Sequence, residues 1–291
     1  MKKIAIVGAG SMAEALISGM IKNSLIENNN IWITNKSDRQ RLTELQSKYQ
    51  LSFTYDLKEL LSDTDMVILA VKPKDGGKAI ESIRPYLTEK TLLVSVLAGV
   101  SIQTLDELSE KSLAIVRAMP NTSATVGKSA TALTYNHNTT TEHVEIVNKM
   151  FATIGLTRFI EEEHLDAVTG LSGSGPAYFY YLVEAMELSA EHIGLDPKLA
   201  KELIVQTLIG TAEMLAKSDK PSYQLRREVT STGGTTEAGI RILEQHQVQK
   251  AFTQCIIEAT HQSKRLGALL STQLNQPKTD QTHQHFKALG D

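Results

Sequence analysis

The chain has 291 residues, of which 41% are hydrophobic and 22% are charged, and its formal net charge at pH 7 is -3. This length favours two domains, and the near-neutral charge, with no stretch that interleaves basic and aromatic residues, argues against a nucleic-acid partner. The single cysteine, Cys255, excludes a disulfide framework within one chain and a cysteine-rich zinc site, and it fits a reducing compartment.

The N-terminus carries two lysines and then a short apolar run from Ile4 to Val7. Gly8 and Gly10 interrupt this run well before a signal-peptide core or a membrane span is complete. We therefore expect a soluble cytoplasmic protein with no membrane partner.

The first half of the chain alternates short β-rich runs with segments of helical periodicity. The runs expected to form strands are Lys3 to Val7, Ile31 to Thr34, Met66 to Val71, Leu92 to Val96, Ile115 to Ala118 and Ala130 to Thr134. The expected helices between them include Met12 to Met20, Arg39 to Tyr49 and Gly76 to Ile83. This alternation predicts an α/β, Rossmann-like domain with a doubly wound, mainly parallel sheet.

From about His164 onward the alternation stops and apolar residues recur at helical spacing. We expect a dinucleotide-binding domain over residues 1–163, an all-α domain over residues 164–274 and a polar C-terminal tail over residues 275–291.

A glycine motif follows the first predicted strand and opens the first helix. Gly8, Gly10, Ser11 and Met12 belong to a G-x-G-x-x-A pattern, in which glycines permit a tight turn and the close approach of a pyrophosphate. Its position favours dinucleotide binding over an ordinary strand-to-helix turn.

The end of the second predicted strand indicates which cofactor binds. Asn35, Lys36, Ser37 and Arg39 supply hydrogen-bonding groups and positive charge, which suit the 2′-phosphate of NADPH better than the free ribose of NADH. Asp38 argues for NADH unless it, or Ser37, simply caps the next helix. The sequence favours NADPH, with NADH as the alternative.

Two further segments follow predicted strands. These are Ala70, Val71, Lys72 and Pro73 after the third strand, and Ala98 and Gly99 after the fourth. Open α/β sheets bind ligands at the carboxyl ends of parallel strands, so we expect both segments to contact the cofactor. For Lys72 alone, a solvated loop lysine is the simpler interpretation.

Near the C-terminal end, Ser231 to Thr236 forms a run of small and hydroxylic residues that opens into an apolar-periodic segment. Exposed N–H groups at a helix start attract a carboxylate or a phosphate. Together with the N-terminal glycine motif, this run indicates a cofactor and an acidic substrate.

Several of these motifs also carry a family resemblance. They are Gly8-Ala9-Gly10-Ser11-Met12-Ala13-Glu14-Ala15, Ala70-Val71-Lys72-Pro73, Met119-Pro120-Asn121-Thr122, Leu171-Ser172-Gly173-Ser174-Gly175-Pro176-Ala177-Tyr178, and Gly233-Gly234-Thr235-Thr236 followed by Ala238-Gly239. In their order and spacing the chain resembles pyrroline-5-carboxylate reductases up to about Leu270. Two residues depart from the usual pattern, since Thr232 stands where proline is common and Leu57 where many members have asparagine.

The resemblance implies reduction of the small molecule 1-pyrroline-5-carboxylate to L-proline by NADPH or NADH, the last step of proline synthesis. It also implies a helical domain that forms a homodimer, or a higher homo-oligomer built from dimers. The substrate is expected between the nicotinamide and two segments, the Met119, Pro120 and Asn121 turn and the helix start at Gly234, Thr235 and Thr236, with Pro176 walling the pocket.

The expected chemistry needs no metal. Hydride addition to an imine is helped by protonation of the ring nitrogen, so the site must orient the ring and give that nitrogen a hydrogen-bond partner. Thr236 can supply the hydroxyl as the catalytic residue, while the N–H groups of Gly234, Thr235 and Thr236 hold the carboxylate. Helix capping is the structural alternative for these threonines. Neither Ser172 nor Ser174 lies centrally in a G-x-S-x-G motif, so a nucleophilic serine is rejected.

Two other functions fit the sequence less well. A dehydrogenase of β-hydroxyacids would place a catalytic lysine on the interdomain helix, but the helix after Pro176 has no lysine before Lys198. A non-catalytic, cofactor-binding regulatory homologue would have no need of the Gly-Gly-Thr-Thr segment.

Overall fold

The computed structural model describes residues 2–274, so the predicted polar tail at 275–291 lies outside the described residues. The chain divides into two compact units. The first contains the residues up to Thr169 and the described residues from His261 onward, and the second is Gly170–Thr260. The domain limits expected from the sequence, with boundaries after residues 163 and 274, stay a prediction.

The first unit is built on one eight-stranded sheet. Its strands are β1 Ile4–Val7, β2 Ile31–Thr34, β3 Ser52–Phe53, β4 Met66–Leu69, β5 Leu92–Ser95, β6 Ala114–Met119, β7 Ser129–Tyr135 and β8 Gly155–Phe159. Their order across the sheet is β3-β2-β1-β4-β5-β6-β7-β8. Every neighbouring pair is parallel except β6 and β7, which run antiparallel. The mainly parallel, Rossmann-like sheet predicted from the sequence is confirmed.

Helices cover both faces of this sheet. They are α1 Ser11–Lys22, α2 Arg39–Tyr49, α3 Leu57–Leu61, α4 Gly76–Ile83, α5 Ile102–Ser109, α6 Thr141–Ala152 and α7 Leu165–Val168. Alternate residues of a strand therefore enter different cores: Ile4 and Ile6 of β1 pack beneath α1, α2 and α6, while Ala5 and Val7 pack beneath α3, α4 and α5. Burial on both faces explains why these strands read as continuous apolar runs.

The two strands that the sequence did not reveal lie at the edges of the sheet. β3 has only two residues, and β8 leaves Leu156 and Phe159 exposed, so neither forms an apolar run. Gly155 opens β8 at φ 147°, where a Cβ atom would lie 2.1 Å from the Ser129 carbonyl oxygen. β8 can therefore pair with β7 only because a glycine stands there.

The second unit is helical. It contains α8 Gly175–His192, α9 Pro197–Lys217, α10 Ser222–Glu228, α11 Thr235–Gln245 and the first part of α12, which runs over Val248–Leu274. In this unit the buried apolar residues are Ala190, Ala200 and Ile204, whereas Tyr181 and Ile193 are each 73% exposed. The apolar faces of these helices are thus largely uncovered within a single chain.

No helix between residues 2 and 274 is long and apolar enough to span a membrane.

Candidate active site

The glycine motif lies where three strand ends meet. Gly8 adopts φ 116°, and a Cβ atom on it would lie 2.3 Å from the Ala70 carbonyl oxygen. Its N–H donates to the Thr34 carbonyl oxygen over 2.8 Å. The ends of β1, β2 and β4 can therefore approach each other only with glycine at this position.

The start of α1 is open for an anion. Gly10 is the N-cap, no side chain caps the helix, and a Cβ atom on Gly10 would meet nothing within 4 Å. The first N–H groups of a helix have no partner within it, so those of Ser11 and Met12 face this open space at the positive end of the helix dipole. Open space and unpaired donors suit the pyrophosphate of a dinucleotide, so these residues fit the cofactor.

A group of polar side chains that the sequence analysis missed fixes the glycine loop against α2. Arg41 donates through Nε to the Ala9 carbonyl oxygen over 3.1 Å and pairs with the carboxylate of Glu14. Glu14 also accepts from Lys48 Nζ at 2.8 Å and from the Tyr49 hydroxyl at 3.1 Å. The hydrogen bond from Lys48, helped by those from Arg41 and Tyr49, lowers the pKa of Glu14 to about 2. These contacts span more than 25 residues of sequence, so no local pattern reveals them.

The loop after β2 is held by its own side chains. Asn35 donates through Nδ2 to the Asp38 carbonyl oxygen at 2.7 Å, and its Oδ1 accepts from the Asp38 N–H at 2.9 Å and from the Tyr55 hydroxyl at 3.2 Å. Asp38 is the N-cap of α2 and accepts from the Arg41 N–H at 2.9 Å. The capping interpretation of Asp38 is therefore confirmed, and the Asn35 amide is occupied in shaping the loop.

The cations of this loop face solvent. Lys36, Ser37 and Arg39 are exposed, and neither Lys36 nor Arg39 has an ion-pair partner among residues 2–274. They lie just beyond the carboxyl end of β2, beside the strand that carries the glycine motif. Free cations at this position can bind the 2′-phosphate of NADPH.

The segment after β4 borders the glycine motif. The Ala70 N–H donates to the Val7 carbonyl oxygen at 2.8 Å, and Val71 is half-buried. Lys72 is exposed and precedes the 3₁₀ turn Pro73–Asp75. This segment lies on the opposite side of β1 from the Lys36 loop.

The loop after β5 is in backbone contact with the last helix. Gly99 adopts φ 76°, and a Cβ atom on it would lie 3.1 Å from the Gly267 amide nitrogen. A Cβ atom on Gly267 would in turn lie 2.5 Å from the Gly99 carbonyl oxygen. The part of α12 that belongs to the first unit makes two further contacts within that unit. The Ser263 hydroxyl donates to Asp166, and the Ser271 hydroxyl lies 2.9 Å from that of Thr104.

An ion pair between a buried arginine and a half-buried glutamate adjoins the same loop. Arg117, on β6, is buried and pairs with Glu162, whose Oε1 also accepts from the Ile102 N–H at 2.7 Å. The Arg117 Nε atom is buried without a hydrogen-bond partner. No local sequence pattern reveals this pair, because 45 residues separate its members.

The Met119, Pro120 and Asn121 turn follows β6. Asn121 accepts from the Ser123 N–H at 3.1 Å and so begins the 3₁₀ turn Thr122–Val126, which packs on α1. The Asn121 N–H donates to the Ser129 hydroxyl at 3.0 Å. This turn therefore lies in the first unit, beside the helix that starts at the glycine motif.

The Gly-Gly-Thr-Thr segment begins α11 in the second unit. Gly234 is the N-cap, and its N–H donates to the Ser231 carbonyl oxygen at 3.0 Å. This N–H was expected to hold a carboxylate and is not available for it, because the turn uses it. Thr235 and Thr236 are exposed, occupy the first two helical positions, and make no side-chain cap. Capping thus does not occupy their hydroxyls, and their N–H groups have no partner within the helix.

Pro176 lies in the first turn of α8, with Ser174 as the N-cap. The serine makes no side-chain capping bond, and Pro176 is half-buried. Tyr178 steadies this turn, since its hydroxyl donates to the Gly170 carbonyl oxygen at 3.1 Å and its ring packs edge-on against Phe252.

Among residues 2–274 there is no group of three or more His, Cys, Asp or Glu side chains that could hold a metal ion.

Two family models match the chain. One, described as pyrroline-5-carboxylate reductase dimerisation, matches residues 162–266. The other, described as NADP oxidoreductase, coenzyme F420-dependent, matches residues 3–99. The two matches fall on the helical and the Rossmann-like parts of the chain.

Relatives and solved structures match nearly the whole chain. Pyrroline-5-carboxylate reductase 2 of Bacillus subtilis is 45% identical over 266 residues, which cover 91% of this chain and 95% of that protein. The pyrroline-5-carboxylate reductase of Staphylococcus haemolyticus is 36% identical over 91% of this chain and 98% of its own length. The Plasmodium falciparum reductase, solved with NADP bound, has a TM-score of 0.84 at 31% identity, and the Coxiella burnetii reductase 0.82 at 33%, each covering 91% of this chain and 98% of its own. The chain therefore belongs to the pyrroline-5-carboxylate reductase family.

Proposed function

We propose that this protein reduces 1-pyrroline-5-carboxylate to L-proline with NADPH, as the last step of proline synthesis. The observation that carries the proposal is the uncapped start of α11, where Thr235 and Thr236 present N–H groups and hydroxyls that the fold does not use. A substrate with one carboxylate and one ring nitrogen can bind both kinds of group. Reductases of this name are up to 45% identical to the chain among the relatives given above.

Each site residue has a distinct role in this proposal. The N–H groups of Thr235 and Thr236 hold the substrate carboxylate at the positive end of the helix dipole. The Thr236 hydroxyl accepts a hydrogen bond from the protonated ring nitrogen and fixes the orientation of the ring. The Gly234 N–H closes the turn, so this residue contributes by permitting the close approach of the backbone. Met119, Pro120 and Asn121 in the first unit, and Pro176 in the second, are each proposed as substrate contacts, as the family resemblance implies.

The cofactor lies along the carboxyl ends of the strands. Gly8, Gly10 and the N–H groups of Ser11 and Met12 hold the pyrophosphate, while Lys36, Ser37 and Arg39 hold the 2′-phosphate, beside a loop shaped by Asn35. The segment Ala70, Val71, Lys72 and Pro73 and the loop with Ala98 and Gly99 contact the nicotinamide half. When bound, NADPH supplies the hydride. The NADP present in the Plasmodium structure supports this choice of cofactor.

We further propose a cytoplasmic homodimer, or a larger assembly of such dimers. The exposed apolar faces of the second unit support it, because water-exposed patches of this extent mark association surfaces. The dimerisation model that matches residues 162–266 supports it independently.

The decisive experiment follows NADPH oxidation in the presence of the cyclic imine and identifies L-proline as the product. The same assay with NADH measures the cofactor preference. Tight NADPH binding without any turnover would favour the non-catalytic homologue instead.

A further inference from the structure

We propose that Arg117 and Glu162 are positioning residues that hold the loop after β5, residues 96–101, in the conformation that receives the nicotinamide half of NADPH. The inference rests on the proposed function, because it assumes that this loop contacts the cofactor.

The position of the loop in the sheet supports that assumption. A dinucleotide crosses an open sheet at the point where the strand order reverses, which here lies between β1 and β4. The 2′-phosphate site follows β2 on one side of this point, so the nicotinamide half extends toward β4 and β5 on the other. Three strand spacings, roughly 14 Å, separate β2 from β5. A change confined to the loop after β5 therefore acts on the nicotinamide half alone.

The ion pair contacts the chain at both ends of the loop. Arg117 is paired in the sheet with Ser95, the last residue of β5, immediately before the loop begins. Glu162 accepts from the N–H of Ile102, the first residue of α5, immediately after the loop ends. One carboxylate oxygen thus joins the strand beside the start of the loop to the helix at its far end.

The loop is also held by contacts other than the Arg117 and Glu162 ion pair. Ser101 caps α5 by accepting from the Thr104 N–H at 3.0 Å, and Gly99 rests against Gly267 of α12. Leu97 and Val100 of the loop are buried in the apolar core that also contains Ile115 of β6, so the ion pair adds a polar link to this packing. Arg117 is buried, and a buried guanidinium without a counter-charge would destabilise the protein. Its attraction for the Glu162 carboxylate therefore keeps Glu162 in the position where it accepts from Ile102.

The test measures binding, which does not require turnover. The double variant Arg117→Met/Glu162→Ala removes the ion pair and the acceptor for Ile102 without leaving a buried charge. We expect NADPH to bind about fivefold to tenfold more weakly, which is the range for one lost hydrogen bond. The affinity for 2′,5′-ADP, which contains the adenosine half only, should stay the same. Glu162→Gln keeps an oxygen that can accept from Arg117 and Ile102 but leaves the buried Arg117 charge without a counter-charge, so it should weaken NADPH binding less than the double variant does.

A matched control and a second variant keep the test decisive. Glu110→Gln breaks the exposed ion pair with Arg84 at the other end of α5 and should alter neither affinity. Ile102→Pro deletes the N–H donor at a position that tolerates proline, since this is the first helical position and Ser101 is already extended. It also alters the Ile102 side chain, which packs against the apolar core, so its control must do the same. Ile102→Pro should weaken NADPH binding like the double variant, whereas Ile102→Ala, which trims the same side chain but keeps the N–H, should not. If the double variant does not fold, the comparison of the two Ile102 variants tests the proposal instead.

If the double variant loses affinity equally for NADPH and 2′,5′-ADP, or loses affinity for neither, the proposal is overturned. The ion pair would then contribute only to the stability of the fold. A wild-type protein that binds neither ligand would also overturn the proposal. A wild-type protein that binds both ligands but does not reduce the imine would refute the proposed function and leave this inference standing.

Discussion

At the scale of single residues, the proposed site uses side chains that make no hydrogen bond or ion pair elsewhere in the described part of the chain. Thr236 and Arg39 are both exposed, and each belongs to a different unit of the chain. Their roles can therefore be separated by substitutions that change only one ligand contact.

Thr236→Val retains β-branching and volume but removes the hydroxyl from the start of α11. We expect kcat/KM for the imine to fall by roughly tenfold to a hundredfold, since a lost hydrogen bond to a charged group is worth about 1.5–3 kcal/mol. NADPH affinity should stay the same, because the proposed phosphate sites, at the glycine motif and in the loop after β2, lie in the other unit of the chain. Thr236→Ser is the control, and it should retain most of the activity. Normal turnover by Thr236→Val would exclude a catalytic role for this hydroxyl.

Arg39→Ala removes a free cation beside the proposed 2′-phosphate site. NADPH should bind roughly tenfold or more weakly, while NADH, which lacks that phosphate, should be almost unaffected. Fluorescence titration with each cofactor measures the ratio. Gln40→Ala, the next residue of α2, provides a control at similar exposure. The interpretation fails if both cofactors lose affinity equally.

At the scale of elements, Glu14 joins α1 to α2 and to the glycine loop. Its pKa is about 2 in the folded protein, well below the ordinary value of 4.5. Because the pKa of Glu14 is lower in the folded than in the unfolded protein, its ionisation stabilises the fold at any pH above the unfolded-state pKa of 4.5. This stabilisation is lost as the pH falls from 4.5 to about 2. We expect urea midpoints to drop across that range, and the drop to be smaller in Glu14→Gln. Identical pH profiles for the two proteins would contradict this assignment.

The elements also show what a sequence can and cannot reveal. β1, β2, β4 and β5 were predictable because both of their faces are buried, whereas the edge strands β3 and β8 lack that pattern. The glycine motif and the Thr235 and Thr236 helix start were predictable because their geometry is local. The Arg117 and Glu162 pair, the Arg41 contact and the approach of Gly267 to Gly99 were not, because distant segments form them.

At the scale of the whole molecule, the exposed apolar side chains of the second unit predict self-association. Leu171, Phe179, Tyr181 and Ile193 are each more than half exposed in the single chain. We expect light scattering to give the mass of a dimer or of a multiple of dimers, and the melting temperature to rise with protein concentration. A fully active monomer at micromolar concentration would refute the dimer.

The return of α12 to the first unit affects how the protein is made. Gly99 and Thr104 leave the ribosome long before their partners Gly267 and Ser271 have been synthesised. Domains generally fold from the N-terminus during translation, so the sheet can form early. The contacts of the loop after β5 with α12 form only after the last helix has been synthesised. A nascent chain that stops short of His261 therefore lacks the helix against which the loop after β5 packs, and we expect it to reach its full affinity for NADPH only near the completion of synthesis.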